Sequence, residues 1–173
     1  MNHNEPLANS DATIPGGSES AGLIGSTIDG KYRIESKLGE GGMGAVYCAT
    51  RLLIGDVVAI KVLHTEQVAN QQAIERFRRE AQAAARLKHP NVVTIHDFGV
   101  INKNLAYLVM ELVEGESLRS IIKQHGPLTP SATAEIVSQV CAALEDAHHR
   151  HIVHRDLKPD NIIVTTSQTG LRV

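Results

Sequence analysis

Between Tyr32 and Glu111 the apolar residues come in short runs, several at a period of two, broken by Gly, Asn and Asp turns. This pattern limits the possible folds more than anything else in the chain. Tyr32 to Leu38 alternates well enough for a strand. Ala45 to Thr50 is a second β-type run, and Val57 to Leu63, after a Gly55-Asp56 turn, is a third. Three successive strands on short loops predict an antiparallel meander. One helix follows, from about Asn70 to Leu87, with Ile74, Phe77, Ala81, Ala84 and Leu87 spaced by three and four. His89-Pro90-Asn91 stops it, because proline disfavours helical geometry in the residue before it. Two more strands, about Val92 to Phe98 and Leu105 to Glu111, flank an Asn102-Lys103-Asn104 turn.

Beyond Gly115 the spacing becomes helical. Ser117 to Gln124 predicts a short helix. Thr129-Pro130 predicts a helix start, with threonine as N-cap and proline at the first helical position. Ile136, Val137, Val140, Cys141, Leu144 and Ala147 then fall on one side, and His148 to His151 end the helix. Ile162 to Val164 and Leu171 to Val173 read as two short strands. Strands with one helix, followed mainly by helices, make an α+β arrangement with segregated parts.

Residues from Met1 to about Ile28 are rich in Ser, Gly, Asn and Pro. They offer too little apolar surface to offset ordering entropy, so residues 1–28 are expected to form a disordered leader. The chain of 173 residues carries 17 basic and 19 acidic side chains, for a formal charge of -2. That balance argues against a dedicated nucleic-acid binder. Cys48 and Cys141 fit neither a disulfide framework nor a zinc pattern, and are expected to be buried, reduced thiols. No apolar run nears the roughly 20 residues of a membrane span, and the N-terminus lacks a secretory pattern, so a cytoplasmic location is expected.

Leu38-Gly39-Glu40-Gly41-Gly42-Met43-Gly44-Ala45-Val46 contains G-x-G-x-x-G. Glycines let backbone N–H groups approach phosphates. A dinucleotide fingerprint would need a helix after the loop, but a strand follows, and a Walker A loop would need Gly-Lys-Ser/Thr. On these residues alone, a phosphate loop and a ligand-free hairpin stand level. Lys61 lies within the apolar strand Val-Ala-Ile-Lys, on the face of Ala59 and Val57. Glu80 falls within the apolar stripe of the first helix, where a carboxylate needs a counter-charge. A Lys61–Glu80 pair is expected; the alternative is a surface pair of Glu80 with Arg76.

His154-Arg155-Asp156-Leu157-Lys158-Pro159-Asp160-Asn161 fits H-R-D-L-x-x-x-N without mismatch. With the glycine loop, Val-Ala-Ile-Lys and the helix glutamate, the chain from about Asp29 to Val173 resembles the eukaryotic-like serine/threonine protein kinases, and the bacterial branch most. The resemblance implies a kinase-like fold: a five-stranded antiparallel N-terminal lobe with one helix over 29–113, then the beginning of a mainly helical C-terminal lobe over 114–173. It implies that the loop from Leu38 to Val46 covers the phosphates of ATP, with Val46 and Ala59 above adenine and Ile163 below. Lys61, oriented by Glu80, would hold the α- and β-phosphates. Met110 resembles the gatekeeper, and the backbone of Glu111 and Val113 would meet the adenine edge. Asp156 would take the proton of the substrate hydroxyl, Asn161 would hold a Mg²⁺ ion, and Lys158 marks the serine/threonine branch. Arg155 resembles the arginine that pairs with a phosphorylated activation loop. The implied partner is a protein with a Ser or Thr hydroxyl.

The sequence departs from the family in lacking the activation loop, the Ala-Pro-Glu motif and the large helices of the C-terminal lobe, and above all in containing no Asp-Phe-Gly, whose aspartate is the principal Mg²⁺ ligand. The chain is therefore expected to be truncated ahead of that motif, and as a polypeptide to be marginally stable and nearly inactive. Two alternatives stay open. The chain could be a non-catalytic nucleotide-binding or interaction module. His148, His149, His151 and His154 could bind a metal, although polar residues at a helix C-terminus are favoured anyway by the helix dipole.

Overall fold

The computed structural model describes residues 22–64, 68, 71–101, 105–167 and 170–173. Most of the expected leader, the start of the first helix and the 102–104 turn lie outside these residues. The strands are β1 (Thr27–Ile28), β2 (Tyr32–Gly41), β3 (Gly44–Arg51), β4 (Val57–Leu63), β5 (Ile95–Ile101) and β6 (Leu105–Glu111), with helix α1 (Gln71–Ala84) between β4 and β5. They form one six-stranded sheet in the order β1-β2-β3-β4-β6-β5, antiparallel throughout.

The sheet therefore has one strand more than the five expected. The sixth is β1, drawn from residues grouped by composition with the leader. Ile28 is buried and pairs with Tyr32, so the sheet gains apolar contact from a segment with almost no β signal. The strand expected at Val92 to Phe98 begins instead at Ile95, and its register slips between Ile95 and Asp97. Three β-branched residues, Val92 to Thr94, are held as loop because Glu111 closes against them. The Glu111 N–H donates to the Thr94 carbonyl at 2.9 Å, and its carboxylate accepts from the Thr94 N–H at 3.2 Å.

Pleat alternation sends the sheet's side chains to two cores. Ile34, Tyr47, Val58, Ile60, Val62, Tyr107 and Val109 fill one face. There Tyr107 meets Tyr32 edge-on, with ring centroids 6.0 Å apart. Both phenols find acceptors, Tyr107 on Asp29 at 2.9 Å and Tyr32 on Asp97 at 2.8 Å. Burial first, and then the Asp97 bond, push the Tyr32 phenol up to about 12. On the other face Leu63, Ala106 and Leu108 receive the stripe Ile74, Phe77 and Ala81 of α1.

The second half holds β7 (Glu116–Ser117), α2 (Leu118–His125), α3 (Pro130–His149), a 3₁₀ turn (Pro159–Asn161), β8 (Ile163–Ser167) and β9 (Gly170–Arg172). Thr129 caps α3 as expected, its hydroxyl accepting from the Ala132 N–H at 3.3 Å. The side of α3 that is buried is narrower than its apolar residues suggest. Ile136, Ala143 and Ala147 are buried, whereas Val137 is 52% exposed. Cys141 is exposed and Cys48 half-buried, which corrects the expectation of two buried thiols. The wider stripe has no surface to meet among the described residues. No helix there is long and apolar enough to cross a membrane.

Helix α3, the loop before β5 and the end of the chain are tied by side-chain amides. Gln139 Nε2 donates to Leu171 O at 2.8 Å, and its Oε1 accepts from Val173 N at 3.0 Å and from Asn91 Nδ2 at 2.9 Å. Asn91 Nδ2 also donates to Val173 O at 2.5 Å. Gln139 thus pairs with β9 much as a neighbouring strand would. Gln139→Ala takes the amide partner from Leu171 O and Val173 N and is expected to cost about 1–3 kcal/mol, read from chemical denaturation midpoints. An unchanged midpoint would show that water replaces the amide without loss.

Candidate active site

The glycine motif forms the hairpin between β2 and β3. Glu40 pairs with Ala45 and Gly41 with Gly44. The third glycine is required by close approach: a Cβ on Gly44 would lie 2.0 Å from the Val62 carbonyl oxygen. Gly39, Gly41 and Gly42 face open space. Leu38 and Met43 are exposed, whereas Ala45 is buried.

Strand register sets the next residues. Val46 lies across from Lys61, Ala59 from Met110, and Lys61 from Leu108. Ala59 is 5% exposed, so its methyl group is part of the sheet surface rather than a protrusion. The expected ion pair between Lys61 and Glu80 is absent. Lys61 Nζ instead stands 6.0 Å over the Phe77 ring, at the outer limit of a cation–π contact. Glu80 is exposed and pairs with neither Lys61 nor Arg76. The reason lies in the helix. Phe77 packs on Phe98 at 5.6 Å between centroids and takes the inward position. Glu80, about 60° around the helix from Phe77, is left at the edge of the stripe.

That edge faces a cleft of about 640 Å³ between the sheet and the helical part. Glu80, Met110, Glu111, Val113, Asn161 and Ile163 line it, so six expected residues share one opening. Val46, Ala59, Lys61, the glycine hairpin, Asp156 and Lys158 lie outside the lining.

The loop after α3 gathers the charged groups. His151 and Arg155 adopt left-handed backbone angles, φ 60° and 62°, which non-glycine residues seldom take. These turns bend the chain so that Asp156 meets residues further along. Lys158 Nζ donates to Asp156 Oδ1 at 3.0 Å, and the two are also paired through Oδ2 at 2.9 Å. Asn161 Nδ2 donates to Asp156 Oδ2 at 3.0 Å and to its carbonyl at 2.8 Å. The Lys158 bond first, and then the Asn161 amide, hold the exposed Asp156 carboxyl below the usual carboxylate range. A carboxylate lowered in this way favours the folded loop above its ordinary pKa. That contribution is lost as pH falls through the folded value. In Lys158→Ala the Asp156 carboxyl is expected to titrate at higher pH, nearer the ordinary range. An NMR titration of its carboxyl carbon reads this directly, and an unmoved midpoint would contradict the assignment.

Two contacts had no signal in the sequence. Arg119 of α2 donates to Asp160 Oδ2 at 3.2 Å through both Nε and Nη2, pinning the loop from the side. The Asp156 N–H turns back to His154 O at 2.8 Å, with His154 Nδ1 at 3.4 Å. A helix arginine reads as a solvated charge until its partner, 41 residues on, is placed beside it. No group of three His, Cys, Asp or Glu side chains among the described residues could hold a metal ion, which leaves the histidine group at the end of α3 without support as a metal site.

Comparison with known proteins agrees with this geometry. The protein kinase domain model matches residues 32–173. The serine/threonine-protein kinase pkn3 of Myxococcus xanthus is 45% identical over 141 residues, covering 82% of this chain and 26% of that protein. PrkC of Bacillus subtilis is 44% identical over 142 residues, covering 82% of this chain and 22% of PrkC. Among solved structures, the PknI kinase domain of Mycobacterium tuberculosis superposes with a TM-score of 0.69 at 31% identity, covering 85% of this chain and 59% of that one. The chain thus spans about a quarter of the length of these curated relatives and about three fifths of the solved domain. With a matching family model, bacterial serine/threonine kinase relatives and the kinase fold, the chain belongs to the protein kinase family.

Proposed function

We propose that this chain carries the ATP-binding lobe and catalytic loop of a protein kinase that moves the γ-phosphate of ATP to a protein Ser or Thr hydroxyl. The observation that carries the reading is the Asp156–Lys158–Asn161 cluster beside a cleft lined by Met110, Glu111, Val113 and Ile163. Adenine has an apolar, flat surface and a hydrogen-bonding edge. Ile163 and Met110 suit the first, and the backbone of Glu111 and Val113 suits the second. Asp156 is ionised at neutral pH and can take the proton of an attacking hydroxyl, while Lys158 keeps the carboxylate aimed and offsets charge nearby.

The donor set fits a hard cation. Asn161 gives its amide nitrogen to Asp156, which leaves Oδ1 for an ion beside the carboxylate oxygens, and oxygen ligands are what Mg²⁺ prefers. Bound there with ATP, Mg²⁺ would neutralise phosphate oxygens. Lys61 is held by nothing stronger than the Phe77 ring and is available to a phosphate. Transfer through a loose transition state asks mainly for such positioning and neutralisation.

Binding of a fluorescent ATP analogue with magnesium tests the reading on the 173-residue chain. Lys61→Met is expected to weaken binding about tenfold or more, the loss of a charged hydrogen bond. No saturable binding to the unsubstituted chain would overturn the nucleotide assignment.

A further inference from the structure

The glycine hairpin is held by more than its strand pairing. His64, the residue after β4, closes on its tip. Its ring Nε2 lies 3.0 Å from the Gly41 carbonyl oxygen and 3.9 Å from Glu40 Oε1. Its backbone N–H donates to the Met43 carbonyl at 3.2 Å. Glu40 is in turn paired with Lys37, so the tip is gripped on both sides of Gly41. A carbonyl oxygen only accepts, so the ring must carry its hydrogen on Nε2.

The gripped peptide is the one with the least guidance of its own. Neither Gly41 nor Gly42 has a Cβ, and a Cβ at either would meet nothing within 4 Å. The peptide plane between them can therefore turn over at little steric cost. All described peptides are trans, which sets the Gly41 C=O and the Gly42 N–H on opposite sides of that plane. Holding the carbonyl fixes where the N–H points. Strand alternation puts His64 in phase with Ile60 and Val62, which pack in the Tyr107 core, and out of phase with Lys61 and Leu63. A carbonyl drawn towards His64 turns the Gly42 N–H away from it, towards the face of Lys61.

We propose that His64 is a positioning residue for nucleotide binding: by donating to the Gly41 carbonyl it selects the peptide orientation that presents the Gly42 N–H to the phosphates. This rests on the nucleotide reading above. Nothing in the sequence singles out His64, which follows the strand as an ordinary polar residue.

The test uses the 173-residue chain with a fluorescent ATP analogue and magnesium. His64→Ala and His64→Phe both remove the donor, the second while keeping ring bulk, and each is expected to raise Kd about 3–10-fold, the worth of one hydrogen bond. His64→Gln, which keeps an N–H at similar reach, is expected to restore Kd to within about twofold of the unsubstituted chain. Equal affinity for all four chains would overturn the proposal, and so would loss in Ala that Phe alone repairs. The carbonyl carbon shift of Gly41 in the free chain supplies a readout independent of nucleotide. An upfield move in His64→Ala and His64→Phe, the change a carbonyl shows on losing its donor, is expected, and an unchanged shift would refute the grip on the hairpin. If the unsubstituted chain binds no nucleotide, the nucleotide reading fails, and the Gly41 shift alone decides whether His64 holds the peptide.

Discussion

Asp156→Asn is expected to lower phosphoryl transfer by about 10²–10⁴-fold in the protein expressed from its complete gene, the range for removing a general base. Affinity for Mg-ATP is expected to change less, because Lys61, Asn161 and the residues lining the cleft remain to hold the nucleotide. The substitution keeps the size of the side chain, and its single amide oxygen, placed where Asp156 Oδ2 stands, can still accept from Lys158 and Asn161, so the loop is expected to survive. What it removes is the charge that can accept a proton. The check is a pair of measurements on the same preparation, turnover under saturating ATP and the dissociation constant of the nucleotide. A variant with undiminished turnover would exclude Asp156 as the base.

The second large effect concerns the fold that carries the site. Tyr107→Ala is expected to destabilise the chain by about 3–5 kcal/mol, enough to unfold a marginal domain. Tyr107 is 1% exposed and stacks edge-on with Tyr32, and its hydroxyl reaches Asp29 next to β1. Its ring also fills the space a side chain on Gly99 would need, for a Cβ there would fall 2.3 Å from the ring. One residue of β6 thus locks β1, β2 and β5 together. Tyr107→Phe keeps the ring and loses only the bond to Asp29, so about 1 kcal/mol is expected for it. Denaturation midpoints of the two variants separate packing from hydrogen bonding. Equal midpoints would mean that the ring itself contributes little.

Legibility in the sequence followed the range of the forces involved. Val57 to Leu63 was readable because alternation and β-branching are local and both point to a strand, and it forms between those residues. Asp156, Lys158 and Asn161 are legible only through the motif that resembles a known family; the bonds that join them come from the turn the fold gives that loop. Thr27–Ile28 was not readable, because two residues carry no periodicity and β1 exists only through its pairing with β2. Val92 to Thr94 have strand propensity, but Glu111 holds Thr94 from the end of β6, and propensity yields to that contact. The pairing of Lys61 with Glu80 was a reasonable inference from charge economy. It failed because the rotation of α1 is set by the fit of Phe77 against Phe98, which no charge count records. Gln139 and Arg119 belong to the same class: each is a polar residue on a helix until the fold brings a distant partner to it.

The most direct test of the account is transfer of labelled γ-phosphate from Mg-ATP by the protein expressed from its complete gene, followed by identification of the phosphorylated amino acid. The account predicts phosphoserine or phosphothreonine, at a rate that collapses in Asp156→Asn. Absence of transfer from a folded, nucleotide-saturated protein would contradict it, as would label that persists undiminished in the variant.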